Sequence, residues 1–128
     1  MTRSPRELVT AFWNTANARQ WELFETLLHP DVVYRVPQTR ERAKGAAGFT
    51  DVFRTWPGEW ICHVETLVAD DRRAVTVIRF ESGGTSETGI SIFECAGGAI
   101  TTITDWWPAP YDPPARATEW LKREDAPE

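Results

Sequence analysis

The chain of 128 residues predicts an α+β fold, and three features of its pattern carry that expectation. Apolar residues recur at helical spacing up to Trp56, strand-like runs take over after Gly58, and Asp70-Asp71, Gly83-Gly84 and Gly97-Gly98 separate those runs as hairpin turns. Helices followed by a meander of this kind give an antiparallel sheet that curls around the N-terminal helices and buries them. The length fits one domain spanning 1–128, because domains of about 100–150 residues can bury a single sufficient core.

The elements follow in order. Ser4-Pro5-Arg6-Glu7 forms a capping box with proline at the first helical position. Leu8, Val9, Phe12, Trp13 and Ala16 then make one apolar stripe, which Asn17-Ala18-Arg19 ends. A shorter helix carries Trp21, Phe24, Leu27 and Leu28 and stops at His29-Pro30, since the residue before a proline avoids the α region. Val32 to Val36 reads as a strand closed by Pro37, followed by a polar loop through Gln38, Thr39 and Arg40. Gly45 to Trp56 is a third helix with Ala46, Phe49, Val52, Phe53 and Trp56 on its apolar face. Four strands follow, Glu59 to Ala69, Arg73 to Phe80, Thr85 to Cys95 and Ala99 to Trp107. The tail, 109–128, is proline-rich, with a short helix expected at Ala115 to Lys122 anchored by Trp120 and Leu121.

Composition excludes several classes of function. A net charge of −5 offers no concentrated basic face for nucleic acid. The one dense basic segment, Arg40-Glu41-Arg42-Ala43-Lys44, carries its own acid and reads as a solvated loop in preference to an anion site. No apolar run approaches the roughly 20 residues of a membrane span, and no secretory h-region follows Met1, so a cytoplasmic location is expected. Cys62 and Cys95 sit in apolar strand patterns and are read as free thiols. The only histidines are His29 and His63, and the adjacent Cys62 and His63 would point to opposite faces of a strand, so no metal site is expected. Nor does any phosphate-cradling loop or nucleophile elbow appear.

Carboxylates within a curved sheet are the chemistry to weigh. Thr101, Ile103, Asp105 and Trp107 share one face of the last strand, and Ile100, Thr102, Thr104 and Trp106 share the other. If the first face lines a cavity, desolvation raises the Asp105 pKa and suits it to proton transfer or to orienting water. If the second does, Asp105 meets solvent or a subunit seam. Arg79 and Glu81 share a face of the middle strand and are its candidate catalytic partners, against the plainer reading of a strand-end ion pair. His63 and Glu65 share a face as well, with a carboxylate-satisfied histidine as the simpler account. The seven tryptophans and six phenylalanines exceed the needs of a small core. Trp13, Tyr34, Trp56, His63, Phe93 and Trp107 are therefore the candidate ligand-binding residues of an apolar pocket. The outer face of the sheet, judged by Trp60, Val64 and Val75, is apolar enough to need a cover, and a two-fold copy is the commonest one.

The segments "HPDVVYRVP", "KGAAGF" and "FECAGGAITTITDWWP" resemble those of the SnoaL-like branch of the nuclear transport factor 2-like superfamily over roughly Arg6 to Pro108. The resemblance implies a cone-shaped barrel with an internal pocket, usually dimeric, in a fold that hosts enzymes and non-enzymes alike. Set beside ketosteroid isomerases, Gly89 and the neighbourhood of Arg35 stand where those enzymes carry their oxyanion-site and base aspartates; both acids are missing, so that chemistry is not expected here. Limonene epoxide hydrolases carry an Asp with two following aromatics, matched by Asp105-Trp106-Trp107, and an Arg-x-Asp that Arg79-Phe80-Glu81 resembles through a shorter hairpin. SnoaL-like polyketide cyclases use a pocket Asp as general acid/base, and Asp105 is the candidate for it. The expectation is a pocket protein for a small apolar metabolite, either a cofactor-free cyclase, isomerase or epoxide hydrolase using Asp105, or a non-catalytic ligand carrier or dimerising scaffold. A third reading is a domain that binds another protein through its convex sheet, with Trp60 in the contact.

Overall fold

The computed structural model describes residues 2–124 of the chain. Its elements run α1 (Pro5–Asn17), α2 (Trp21–Thr26), β1 (Leu28–Val36), β2 (Glu41–Lys44), α3 (Ala46–Arg54), β3 (Trp60–Ala69), β4 (Arg73–Ser82), β5 (Thr85–Ala96) and β6 (Ala99–Trp106). The capping box at the start of α1 forms as expected: Ser4 Oγ accepts from the Glu7 amide at 3.2 Å, and Glu7 Oε1 accepts from the Ser4 amide at 2.9 Å. The six strands form one curved, unclosed sheet in the order β2-β1-β6-β5-β4-β3. All neighbours are antiparallel except β1 and β6, which run parallel.

The helices lie on the inner face of this sheet. Phe12, Phe24, Phe49 and Phe93 are fully buried there and stack or meet edge to face, with Leu8, Ile78, Ile100 and Ile103 filling between them. Asn17 ties the end of α1 to β3, donating to the Cys62 carbonyl at 2.7 Å and accepting from its amide at 2.8 Å. Arg19, held at φ 59°, lays its guanidinium 3.7 Å from the Trp60 ring centroid.

Five expectations are corrected by this arrangement. The first strand begins at Leu28 and runs through Pro30. Leu28 faces Ile100 and Val33 faces Thr102, so the ladder is irregular between them, and that is where a residue without an amide proton fits. The Arg40-to-Lys44 segment is no loop: Glu41 to Lys44 pair with β1 as a charged edge strand. Ile100 points inward together with Ile103, because β6 carries an extra residue. Cys95 opposes Ile100 but Glu94 opposes Thr102, and Thr101 bulges between them, its hydroxyl donating to the Glu94 carbonyl at 3.0 Å. Trp60 also faces inward, 7% exposed, against Phe53 and Phe80. It therefore contributes nothing to the convex face. The tail carries no helix among the described residues, and Trp120 and Leu121 are exposed; without a surface to bury them, a segment this short has little to hold it helical.

Candidate ligand pocket and buried carboxylate

Between α1, α3 and the inner face of the sheet lies a cavity of about 370 Å³. Its wall is mainly aromatic and apolar: Trp13 from α1, Phe53 from α3, Tyr34 from β1, Ile78 and Phe80 from β4, and Trp107 after β6. The exposed residues Thr39, Glu41, Arg42, Trp56 and Glu87 form its rim. Two of the wall residues are anchored by hydrogen bonds, one through its ring and one through its backbone. The Trp13 indole donates to Thr76 Oγ1 at 3.3 Å, and the Gln38 side chain donates to the Trp107 carbonyl at 3.1 Å while accepting from its amide. A hollow of about 500 Å³ at the Gly83-Gly84 turn is more open and is lined mainly by polar residues and glycines, among them Glu81, Ser82, Thr85 and Ser86, with Trp60 as its one aromatic.

Beside the cavity wall sits the one carboxylate of the described residues that is fully buried. Asp105, 3% exposed, accepts the Tyr34 phenol on Oδ2 at 2.6 Å and the Ser91 hydroxyl on Oδ1 at 2.6 Å. Burial pushes its pKa up to about 6, with the two hydrogen bonds pulling the other way. Burial and the neighbouring Asp105 charge hold the Tyr34 phenol well above its ordinary range, so it stays protonated. Burial likewise raises the Cys62 thiol on the cavity wall to about 12, keeping it inert. Asp105 reaches the cavity through Tyr34, which lies on the wall and carries the hydrogen bond.

The residues expected in the site divide between the two faces of the sheet. Trp13, Tyr34 and Trp107 meet at the cavity, and Trp56 stands at its rim, 52% exposed. Phe93 is fully buried behind the wall, packed on Phe12 and Trp13. Arg79, Glu81 and His63 are on the other side. On β4 it is Ala74, Thr76 and Ile78 that are buried inward, so Arg79 and Glu81 project from the convex face. There Arg79 pairs with Glu81 and, at 3.7 Å, with Glu65, while His63 Nε2 sits 3.0 Å from Glu81 Oε2. They are no partners of Asp105.

Its partners are Tyr34 and Ser91, of which only Tyr34 was expected in the site, and as a ligand contact. Ser91 stands directly opposite Asp105. Counting back from the Gly97-Gly98 turn without a bulge sets Ser91 against Thr104 instead, so the extra residue at Thr101 hides the pairing. Gly89 is buried beneath Trp107, and Arg35 is exposed opposite Arg42, so neither supplies an acid at the positions set beside the ketosteroid isomerase aspartates.

A curved, unclosed six-stranded sheet around N-terminal helices is the nuclear transport factor 2-like fold. The SnoaL-like domain model matches residues 9–103, and the chain belongs to that family. A protein from Kribbella flavida DSM 17836 proposed to be a ketosteroid isomerase is 34% identical, with 98% of this chain and 95% of that one covered at a TM-score of 0.89. An epoxide hydrolase of limonene epoxide hydrolase type from M. tuberculosis shares the fold at 20% identity and TM-score 0.66, covering 79% of this chain and 80% of its own. A protein from Shewanella putrefaciens CN-32 proposed to be a SnoaL-like polyketide cyclase does so at 11% identity and TM-score 0.70, with 80% and 79% covered. No curated protein matches the chain.

Proposed function

We propose that this chain is a cofactor-independent acid–base enzyme acting on a small apolar molecule, with Asp105 as the terminal proton acceptor and Tyr34 as the group that meets the substrate. The observation that carries the reading is the hydrogen bond from Tyr34, on the cavity wall, to the buried Asp105 carboxylate. With Asp105 ionised, the phenol directs its proton at Oδ2 and leaves an oxygen lone pair for the ligand. The phenol oxygen takes one proton from the substrate while its own passes to Asp105, so Tyr34 ends neutral and the substrate loses one proton. Return of that proton at another atom completes an isomerisation or an aldol-type cyclisation; with water as the proton source, the same unit supports epoxide opening. The relative from Kribbella flavida, proposed to be a ketosteroid isomerase, puts a shift of a proton beside a ketone among the reactions to try, with Asp105 and Tyr34 in place of the two acids that Gly89 and Arg35 do not supply.

The test is incubation with a β,γ-unsaturated ketosteroid, a cyclic terpene epoxide and a polyketide-type methyl ester, followed by product analysis. Conversion of one of them, reduced at least about tenfold in both Asp105→Asn and Tyr34→Phe, supports the proposal. Conversion unchanged in both variants overturns it. Saturable binding with no conversion gives the carrier reading instead.

We further place a second copy of the chain on the convex face, where Ile61 and Val68 of β3, Ile92 of β5 and Trp106 of β6 are each between 36% and 56% exposed, with the half-buried Val75 and Val77 of β4 between them; Val64, opposite the inward Ile78, is not part of this face. An apolar patch continuous over that many strands is unusual on a monomer. A homodimer in the cytoplasm, where Cys62 and Cys95 stay reduced, completes the reading.

A further inference from the structure

The convex face of the sheet is apolar in its middle and charged at two corners. Across the middle, Val75 and Val77 of β4 stand opposite Ile92 and Ile90 of β5, and Ile90 stands opposite Trp106 of β6. At one corner, where β3 meets β4, two carboxylates share one guanidinium. Arg79 pairs there with Glu81 and, at 3.7 Å, with Glu65, and His63 Nε2 lies 3.0 Å from Glu81 Oε2. With His63 neutral, this corner carries an excess of negative charge. At the other corner, Arg35 of β1 stands directly opposite Arg42 of β2, and Lys44 stands opposite Val33. Tyr34 and Val36 are buried inward, so Arg35 turns outward, and the ladder puts Arg42 and Lys44 on the same face. Like charges set opposite each other repel. None of the three has a carboxylate within ion-pair distance among the described residues, in a chain whose acids outnumber its bases 19 to 14. Arg73 and Glu94, also on this face, stand opposite each other and balance.

The two corners lie on a diagonal. Followed across the ladders, Arg35 is in line with Thr104, Ile92, Val75 and Val68, whereas Arg79 and Glu81 lie further along β4, beyond Val77. The apolar patch sits between them. We infer that the second copy on this face is oriented so that the Arg35, Arg42 and Lys44 corner of each protomer lies on the Glu65 and Glu81 corner of the other. A two-fold axis lying in an interface maps the face onto itself by reflection across the axis. An axis through the apolar patch and across the diagonal therefore exchanges the corners, makes both charge contacts at once and keeps apolar surface on apolar surface. An axis along the diagonal sets arginine on arginine and carboxylate on carboxylate, and such like-charge contacts cost several kcal/mol. This inference rests on the convex face being a homodimer interface, and it adds the orientation of the copies and the residues that set it.

The experiment is sedimentation velocity on the whole chain, on the double variant Arg35→Glu with Lys44→Glu, on the double variant Glu65→Lys with Glu81→Gln, and on an equimolar mixture of the two variants. Each variant alone should dimerise at least about tenfold more weakly than wild type, since each sets like charge against like at both contacts. In the mixture both contacts are again opposite in sign, and heterodimers should form at least about tenfold more tightly than either variant's own dimer. The wild-type dimer should weaken as salt rises. Both variants should bind N-phenyl-1-naphthylamine, a neutral apolar fluorophore, in the cavity on the other face as wild type does, which shows that they are folded. A wild-type dimer that either variant leaves intact, or a mixture no tighter than the variants alone, overturns the orientation and leaves the dimer standing. A monomeric wild type overturns the dimer and the orientation with it.

Discussion

Tyr34 and Asp105 meet across the parallel seam between β1 and β6, phenol to carboxylate at 2.6 Å, with 9% and 3% of their surfaces exposed. The chain thus keeps a carboxylate out of water without a cation beside it, stabilised only by two neutral hydroxyls. Ionising it in the folded protein costs free energy, and this sets a sign for the dependence of stability on pH. The Asp105 pKa rises from 3.8 to about 6 on folding, so the native state holds its proton more tightly. Its contribution is fully present below 3.8 and is lost as pH rises through about 6. That span corresponds to about 3 kcal/mol. Asn at this position can accept from Tyr34 on its carbonyl and donate to Ser91, whose hydroxyl turns to suit. Urea denaturation of wild type and Asp105→Asn from pH 4 to 8 should give a difference that moves in the variant's favour by about 2–3 kcal/mol across the window. A pH-independent difference would remove the raised pKa from the account.

The same titration governs any proton transfer that ends on Asp105. Once a converted substrate is in hand, kcat/KM should rise with pH through about 6 and level off above it, because the carboxylate must be ionised to accept. Asp105→Asn should lose both the rate, by about 10²–10⁴-fold, and the inflection. Tyr34→Phe separates the two members: it removes the group on the cavity wall and leaves the carboxylate behind it, so the rate falls while ligand binding holds. An inflection that persists in Asp105→Asn would assign the titration to another group.

The order of elements was legible because local signals do not depend on partners: the Ser4 and Glu7 box, the double-glycine turns, and the period of the α1 stripe. That Asp105 shares a face with Ile103 and Trp107 was legible too, since the three lie downstream of the bulge and alternate regularly, but which face of the strand turns to the cavity was not. What was hidden needs the third dimension. On β4, Val75 and Val77 are as apolar as Ala74 and Ile78, so alternation cannot say which set is inside, and Arg79 and Glu81 are drawn toward the wrong face. Ser91 is hidden by a single bulged residue, Thr101. The strand at Glu41 to Lys44 carries one apolar residue, Ala43, and it is the ladder to β1 that makes it a strand.

That ambiguity on β4 is also why the convex face has a second use. If a copy of the chain covers it, Ile92→Glu should disperse the dimer, because the side chain projects from the convex face, away from the cavity. Burying an unpaired carboxylate there costs several kcal/mol, enough to raise the dissociation constant by at least about a hundredfold. Sedimentation velocity of the wild type should show a dimer at micromolar concentration and the variant a monomer, with fluorophore binding in the cavity unaltered. A monomeric wild type would leave the exposed valines and isoleucines without this partner.

Gly89 bears on the cavity from beneath. Its backbone is not left-handed, so a side chain is excluded by space alone: a Cβ would stand 2.9 Å from Trp107 Cζ3 and 3.1 Å from Ile78 Cγ1. Gln38 holds the Trp107 backbone by both its amide and its carbonyl, so relief has to come from rotation of the indole. Gly89→Ala should therefore cost about 1–3 kcal/mol, as overpacking of a close contact does, and push the indole into the cavity. Urea denaturation reads the first effect, and weaker binding of N-phenyl-1-naphthylamine reads the second. Trimming the indole in Gly89→Ala with Trp107→Phe should restore most of the stability while leaving the cavity wider. A double variant as unstable as the sum of its single changes would mean that the alanine methyl collides with the sheet itself, at Ile78, and not with the tryptophan that roofs it.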